Sequence, residues 1–139
     1  MKLLLFAALV AAALAETEYT LQVKTKDVQW ADSDGYFYGL AIGFTGKVVD
    51  LGRLDNRDRD DFQRAGEDVF TYTSDVDVGK IACLLLRAAN MSDDGWIVDT
   101  FKISSTTDTD GFSGVNPNSD WLSGQWGEGN LAMVWCKDE

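Results

Sequence analysis

Gly79-Lys-Ile-Ala-Cys-Leu-Leu-Leu-Arg-Ala-Ala-Asn-Met-Ser-Asp-Asp-Gly-Trp-Ile-Val-Asp-Thr-Phe-Lys-Ile103 decides how the chain is read. Ile81 to Ala89 is almost continuously apolar. That pattern suits a strand buried on both faces or a segment of buried helix, and periodicity alone does not separate them. The second half does. From Ile97 onward, Ile97, Asp99, Phe101 and Ile103 alternate with Val98, Thr100 and Lys102, and β-branched residues are frequent. This is strand chemistry. Between the halves, Asn90-Met-Ser-Asp-Asp-Gly95 is dense in turn formers and longer than a two-residue hairpin requires. Trp96 follows at once and reads as a core plug that packs under the loop and fixes its shape.

Outward from this stretch, short strands recur in both directions. Tyr19 to Thr25 alternates, with Tyr19, Leu21 and Val23 on one face. Tyr36 to Phe44 is aromatic and then aliphatic, Lys47 to Leu51 is weaker, and Val69 to Thr73 and Leu131 to Cys136 complete the obvious set. Residues 104–118 are loop or a ragged hairpin around Asp110-Gly111. Residues 53–68 alternate in charge, with Phe62 as their apolar anchor. A short solvated helix is conceivable there, but no apolar stripe of helical period runs through it, so a loop is expected. Seven or eight short strands and no convincing helix predict an all-β antiparallel sandwich.

The first 15 residues are expected to lie outside that fold. Lys2, the apolar run Leu3–Leu14 and the Ala13-Leu14-Ala15 site have the layout of a secretory signal peptide. The run is too short to span a bilayer. Removing it from 139 residues leaves residues 16–139, a single domain of 124 residues. Without Lys2, 11 basic residues face 23 acidic ones, a net charge of −12. Such a surface repels nucleic acid and anionic membrane and would accept a bound cation. The expected product is a secreted monomer with no transmembrane segment.

The chain has no histidine and two cysteines, Cys83 and Cys136. The commonest general base and zinc ligand is therefore missing. In an oxidising compartment the two thiols most simply pair with each other, with free or intermolecular thiols as the other reading. No histidine- or cysteine-based nucleophile can be assembled. Paired carboxylates could serve a glycosidase, but a solvated acidic surface accounts for them as well. The expectation is that the protein is not an enzyme.

Several blocks, in order, resemble the PLAT (LH2) domain, the eight-stranded β-sandwich of lipoxygenases and pancreatic lipases that also occurs as a stand-alone secreted module. Gln29-Trp30-Ala31-Asp32-Ser33-Asp34-Gly35-Tyr36 is similar to the family's "AGTD" loop. Asp61-Phe62-Gln63-Arg64-Ala65-Gly66-Glu67-Asp68-Val69-Phe70 resembles its "F-x-R-G-x-x-D-x-F" block. Val78-Gly79-Lys80-Ile81, Gly95-Trp96 with the strand after it, and Trp121-Leu122 resemble later blocks. The chain departs from the pattern at Asp32, at Ala65 and at Asn116-Pro117-Asn118.

The resemblance implies calcium at one end of the sandwich, with Asp34, Asp60, Asp61 and Asp94 at the matching positions. Calcium takes six to eight oxygen ligands, which acidic loops can supply. Gln63 stands where a carboxylate is often found. The same aspartates would also serve as turn formers and as a solubilising surface. Asp32-Ser-Asp34-Gly35 and Asp108-Thr-Asp110-Gly111 lack the ligand spacing of an EF-hand. The resemblance further implies Trp30 as a lipid-inserting anchor. An indole at a loop tip suits a membrane interface, and packing down on the sandwich end is the alternative. Asn90-Met91-Ser92 is a glycosylation sequon, and a glycan at Asn90 would obstruct close lipid approach. Two kinds of binding module therefore remain open. One is calcium-assisted lipid association. The other is a protein-interaction domain independent of calcium and lipid, which predicts an exposed apolar patch on a sheet face.

Overall fold

A computed structural model describes residues 15–57, 59–89, 95–123 and 130–138. Eight strands form two four-stranded antiparallel sheets. They are β1 (Thr17–Thr25), β2 (Phe37–Gly43), β3 (Val48–Arg53), β4 (Glu67–Ser74), β5 (Ile81–Ala88), β6 (Val98–Ser105), β7 (Phe112–Val115) and β8 (Ala132–Cys136). One sheet runs β4-β1-β6-β7 and the other β3-β2-β5-β8. The predicted sandwich is the observed architecture.

Each strand sends alternate residues into the space between the sheets, as the period of two requires. Tyr19, Leu21 and Val23 of β1 face Phe37, Ala41, Leu84 and Leu86 of the opposite sheet in one continuous core. The charged segment before β4 is loop, and Phe62 is its buried anchor. The stretch around Asp110-Gly111 is a true hairpin, with β6 and β7 paired from Ile103↔Phe112 to Thr100↔Val115. Gly111 closes it at φ +59°, and a Cβ there would lie 1.9 Å from the Ile103 carbonyl oxygen, so no other residue fits.

The two strands of the 79–103 stretch do not pair with each other. β5 joins β2 and β8, whereas β6 joins β1 and β7, so the chain between them crosses from one sheet to the other. Packing explains the split. Val98, Phe101 and Ile103 enter the core from one sheet and Leu84, Leu86 and Ala88 from the other, so each strand roofs the core laid by its neighbour in sequence. Cys83 lies directly opposite Cys136 across β5 and β8, and the two form a disulfide. Trp96 is fully buried, as expected of a core plug, while Trp121 and Trp135 are only partly buried. Among the described residues no helix is long and apolar enough to cross a membrane.

Candidate functional site

Strand register collects four connections at one end of the sandwich. Lys24 at the end of β1 lies opposite Glu67 at the start of β4, and Thr25 lies opposite Val98 at the start of β6. Phe37 at the start of β2 faces Ala88 at the end of β5, while Tyr38 faces Arg53 at the end of β3. Arg87 faces Ala132 at the start of β8, and Thr100 near the start of β6 faces Val115 at the end of β7. The β1–β2, β3–β4, β5–β6 and β7–β8 connections therefore all emerge together.

An aromatic cluster supports them. The Trp96 ring lies 4.6 Å from Phe62 and 5.1 Å from Phe37, and Phe62 lies 5.7 Å from Phe70. Trp96 Nε1 donates to Thr25 Oγ1 at 2.8 Å, which satisfies both groups in a dry setting. The backbone beside the ring clamps two other segments. Trp96 and Leu122 exchange N–H···O bonds of 2.9 and 2.8 Å, and the Ile97 N–H donates to the Ala31 carbonyl at 3.2 Å.

The β3–β4 connection is built on Asp68, which is 1% exposed. Its carboxylate accepts the Phe62 N–H at 2.9 Å and Arg59 Nε at 2.7 Å. Phe62 adopts φ +61°, an unfavourable conformation for a bulky residue, and is held there from both sides. Asp68 takes its N–H, and its carbonyl accepts the Ser33 N–H at 3.0 Å, which ties this loop to the first one.

Asp61 is also buried and accepts the Asn56 N–H and Nδ2 at 2.8 and 3.0 Å, with Arg59 Nε 3.9 Å away. Burial pushes its carboxyl above the usual aspartate range. The Asn56 bonds oppose that shift and the neighbouring Asp68 adds to it. A carboxyl whose pKa is raised on folding holds its proton longer in the folded state. Folding stability then falls as pH rises from the ordinary aspartate pKa through the raised one. Urea titrations across that window are expected to show the decline, and Asp61→Asn is expected to flatten it. An unchanged slope in Asp61→Asn would remove Asp61 as its source.

Asp34, Asp55, Asp60 and Asp61 line one open recess of about 130 Å³ at this end, together with Arg53 and Arg59. Asp34 and Asp60 are exposed. The donor set is rich in hard oxygens and chemically suited to calcium. Its geometry is less complete, because no three acidic side chains converge closely enough among the described residues to hold an ion. Asp94 and Asn90 lie outside the described residues. Gln63 Nε2 reaches only the Asp61 carbonyl, at 3.5 Å.

Trp30 stands on the adjoining β1–β2 loop, 72% exposed, while its neighbour Ala31 is fully buried. The backbone carries Trp30 at φ +71°. A turn bond from the Ala31 N–H to the Val28 carbonyl, 3.2 Å, closes the loop beneath it. Sequence reasoning missed Asp55, the two arginines in the recess and the pivotal part of Asp68. The one available signal for Asp68 was its place in the Phe62–Phe70 block.

The PLAT/LH2 domain family matches residues 19–128. The chain belongs to that family. The PLAT match runs from within β1 past β7, and no catalytic domain is evident beside it in the 139 residues. Solved structures share the fold. A coral 8R-lipoxygenase, described as activated by calcium through a C2-like domain, aligns with TM-score 0.66 and 23% identity over 84% of this chain and 16% of its own. The alpha-toxin of Clostridium absonum aligns with TM-score 0.63 and 23% identity over 84% of this chain and 30% of its own. A calcium-dependent 11R-lipoxygenase aligns with TM-score 0.54 and 22% identity over 85% of this chain and 17% of its own. The PLAT chain thus spans about a sixth of the lipoxygenases it matches. No match was found among curated proteins.

Proposed function

We propose that this PLAT domain is a secreted, non-catalytic binding module whose four-loop end associates with lipid surfaces with the help of calcium. Trp30 carries the reading: a large indole is held out in water on a loop whose backbone is fixed beside an acidic recess. Exposed Val28 and Tyr36 flank it in sequence. Asp34, Asp60, Asp61 and Asp94 would hold the ion. Calcium would supply positive charge there, drawing the loops together and offsetting the repulsion between an acidic protein and lipid phosphates. The calcium dependence described for the two lipoxygenases supports this role. The apolar leader at residues 1–15 and the Cys83–Cys136 disulfide support secretion.

Co-sedimentation of the mature protein with neutral vesicles, in calcium and in chelator, tests the proposal. Binding is expected in calcium alone. Burying an indole contributes about 2 kcal/mol, so Trp30→Ala is expected to weaken binding roughly 30-fold. Asp34→Ala should weaken it through the ion. Absence of binding in both conditions sinks the proposal, and binding that survives the chelator removes the acidic recess from it. Intact-mass analysis showing a glycan at Asn90 would count against close lipid approach by this end.

A further inference from the structure

The two outward faces of the sandwich differ in kind. On the β4-β1-β6-β7 sheet the outward residues are largely polar, among them Gln22, Lys24, Thr71, Lys102, Ser104 and Ser113, with Val69 and Val115 as the exposed exceptions. Water asks for nothing else of an outward face. On the β3-β2-β5-β8 sheet the register instead sets Leu40, Leu85 and Val134 side by side across three strands, with Ile42 and Val48 paired in the next row but one. Val134 is 55% exposed, and Leu40, Ile42 and Leu85 are half-buried. A contiguous aliphatic surface of this kind marks an interaction site.

One row along, the same register places Arg53, Tyr38 and Arg87 directly opposite one another. The Arg87 guanidinium lies 4.2 Å from the centre of the Tyr38 ring, and that of Arg53 lies 3.8 Å from the ring of Tyr36. Neither arginine forms an ion pair among the described residues, although the chain carries 23 acidic residues. On β3 the Leu40–Leu85–Val134 row ends in Asp50, whose carboxylate accepts the Gly52 N–H of its own strand at 2.8 Å. Guanidiniums stacked on rings keep their N–H edges free and pre-aligned for a carboxylate. Tyrosine and arginine beside an aliphatic centre are also the composition of protein interfaces.

We propose that this outward face docks a protein partner presenting aliphatic side chains flanked by carboxylates, which Arg53 and Arg87 receive. A lipid surface fits less well. The face is built from strand residues, with no loop projecting from it among the described residues, and the protein as a whole is acidic. The proposal does not rest on the loop-end reading; Arg53 also borders the acidic recess of that end, so Arg87 is the arginine that separates the two.

The test uses a labelled peptide alternating leucine with glutamate, titrated into the mature protein, with a glutamine-for-glutamate peptide as control. The acidic peptide is expected to bind, to shift the amide resonances of Leu40, Leu85 and Val134, and to weaken as salt rises. Arg53→Gln and Arg87→Gln are each expected to cost about tenfold in affinity, and Lys102→Gln on the polar face nothing. No shift on this face at millimolar peptide overturns the proposal, as does binding indifferent to both arginine variants. Sedimentation of the protein alone provides a further arm: a dimer lost in Arg87→Gln assigns the face to a second copy and overturns the stated partner. Anionic vesicles that bind the wild type but not Arg87→Gln would assign it to a membrane and overturn it too. Trp30→Ala enters none of these arms, so their failure leaves the vesicle experiment standing.

Discussion

Trp96→Ala is expected to destabilise the domain by about 3–5 kcal/mol, measured as a fall in urea midpoint at unchanged slope. The ring is the largest fully buried side chain among the described residues, and Phe37 and Phe62 rest on it within 5.1 Å. Its removal opens a cavity that three strands and two clamped loops cannot collapse to fill. It also strips the buried Thr25 hydroxyl of its Nε1 partner. Trp96→Phe separates the two effects. It keeps most of the apolar volume and loses the donor, so roughly 1–3 kcal/mol is expected. The functional consequence follows from position. Ile97 holds Ala31, and Ala31 sits beneath Trp30, so Trp96→Ala should also weaken vesicle binding at temperatures where it remains folded. A loss below 1 kcal/mol would mean that the loops, not the indole, carry this end of the sandwich.

Much of this was legible in the chain. Alternation is a local property, so β1, β2 and β6 could be read from their own residues, and Gly111 announced its hairpin. Trp96 was readable as a plug because it is apolar and abuts a polar loop. The destination of each strand was less legible. Ile81–Ala88 is apolar on both faces, and the outward half, Leu85 above all, is covered by no second layer among the described residues. A pattern that suggests double burial is here a core face backed by an exposed aliphatic one. The Tyr36, Tyr38, Arg53 and Arg87 group lay beyond sequence reasoning altogether, since only the register of β3, β2 and β5 joins positions so far apart. In the acidic end, the aspartates could be named but not sorted. Asp34 and Asp60 are exposed at the surface, Asp61 is buried and bonded to Asn56, and Asp68 fixes the backbone of Phe62. That sorting depends on neighbours in the fold, which charge and spacing do not encode.

The second large effect belongs to the disulfide. Cys83→Ser/Cys136→Ser is expected to cost about 4 kcal/mol, because the bridge closes a loop of 53 residues in the unfolded chain and restricts its freedom. For a domain of this size the melting temperature should fall by roughly 12–20 °C, and reductant should do the same to the wild type. The loss should be uneven within the fold. β8 is a five-residue edge strand with β5 as its only ladder partner, and its inward side chains reach the core chiefly through Met133 and through Trp135, whose ring lies 5.1 Å from Phe101. A short edge strand held by one ladder opens first when its covalent tie is cut. Amide exchange in the reduced protein should therefore accelerate across Ala132–Cys136 before it does in β2, which is paired on both sides. Because Val134 belongs to the aliphatic outward face, the same variant should weaken the acidic peptide while sparing calcium-dependent vesicle binding. A double variant that melts within 3 °C of the wild type would show that β8 is held by its packing alone, and peptide affinity would then be expected to survive reduction.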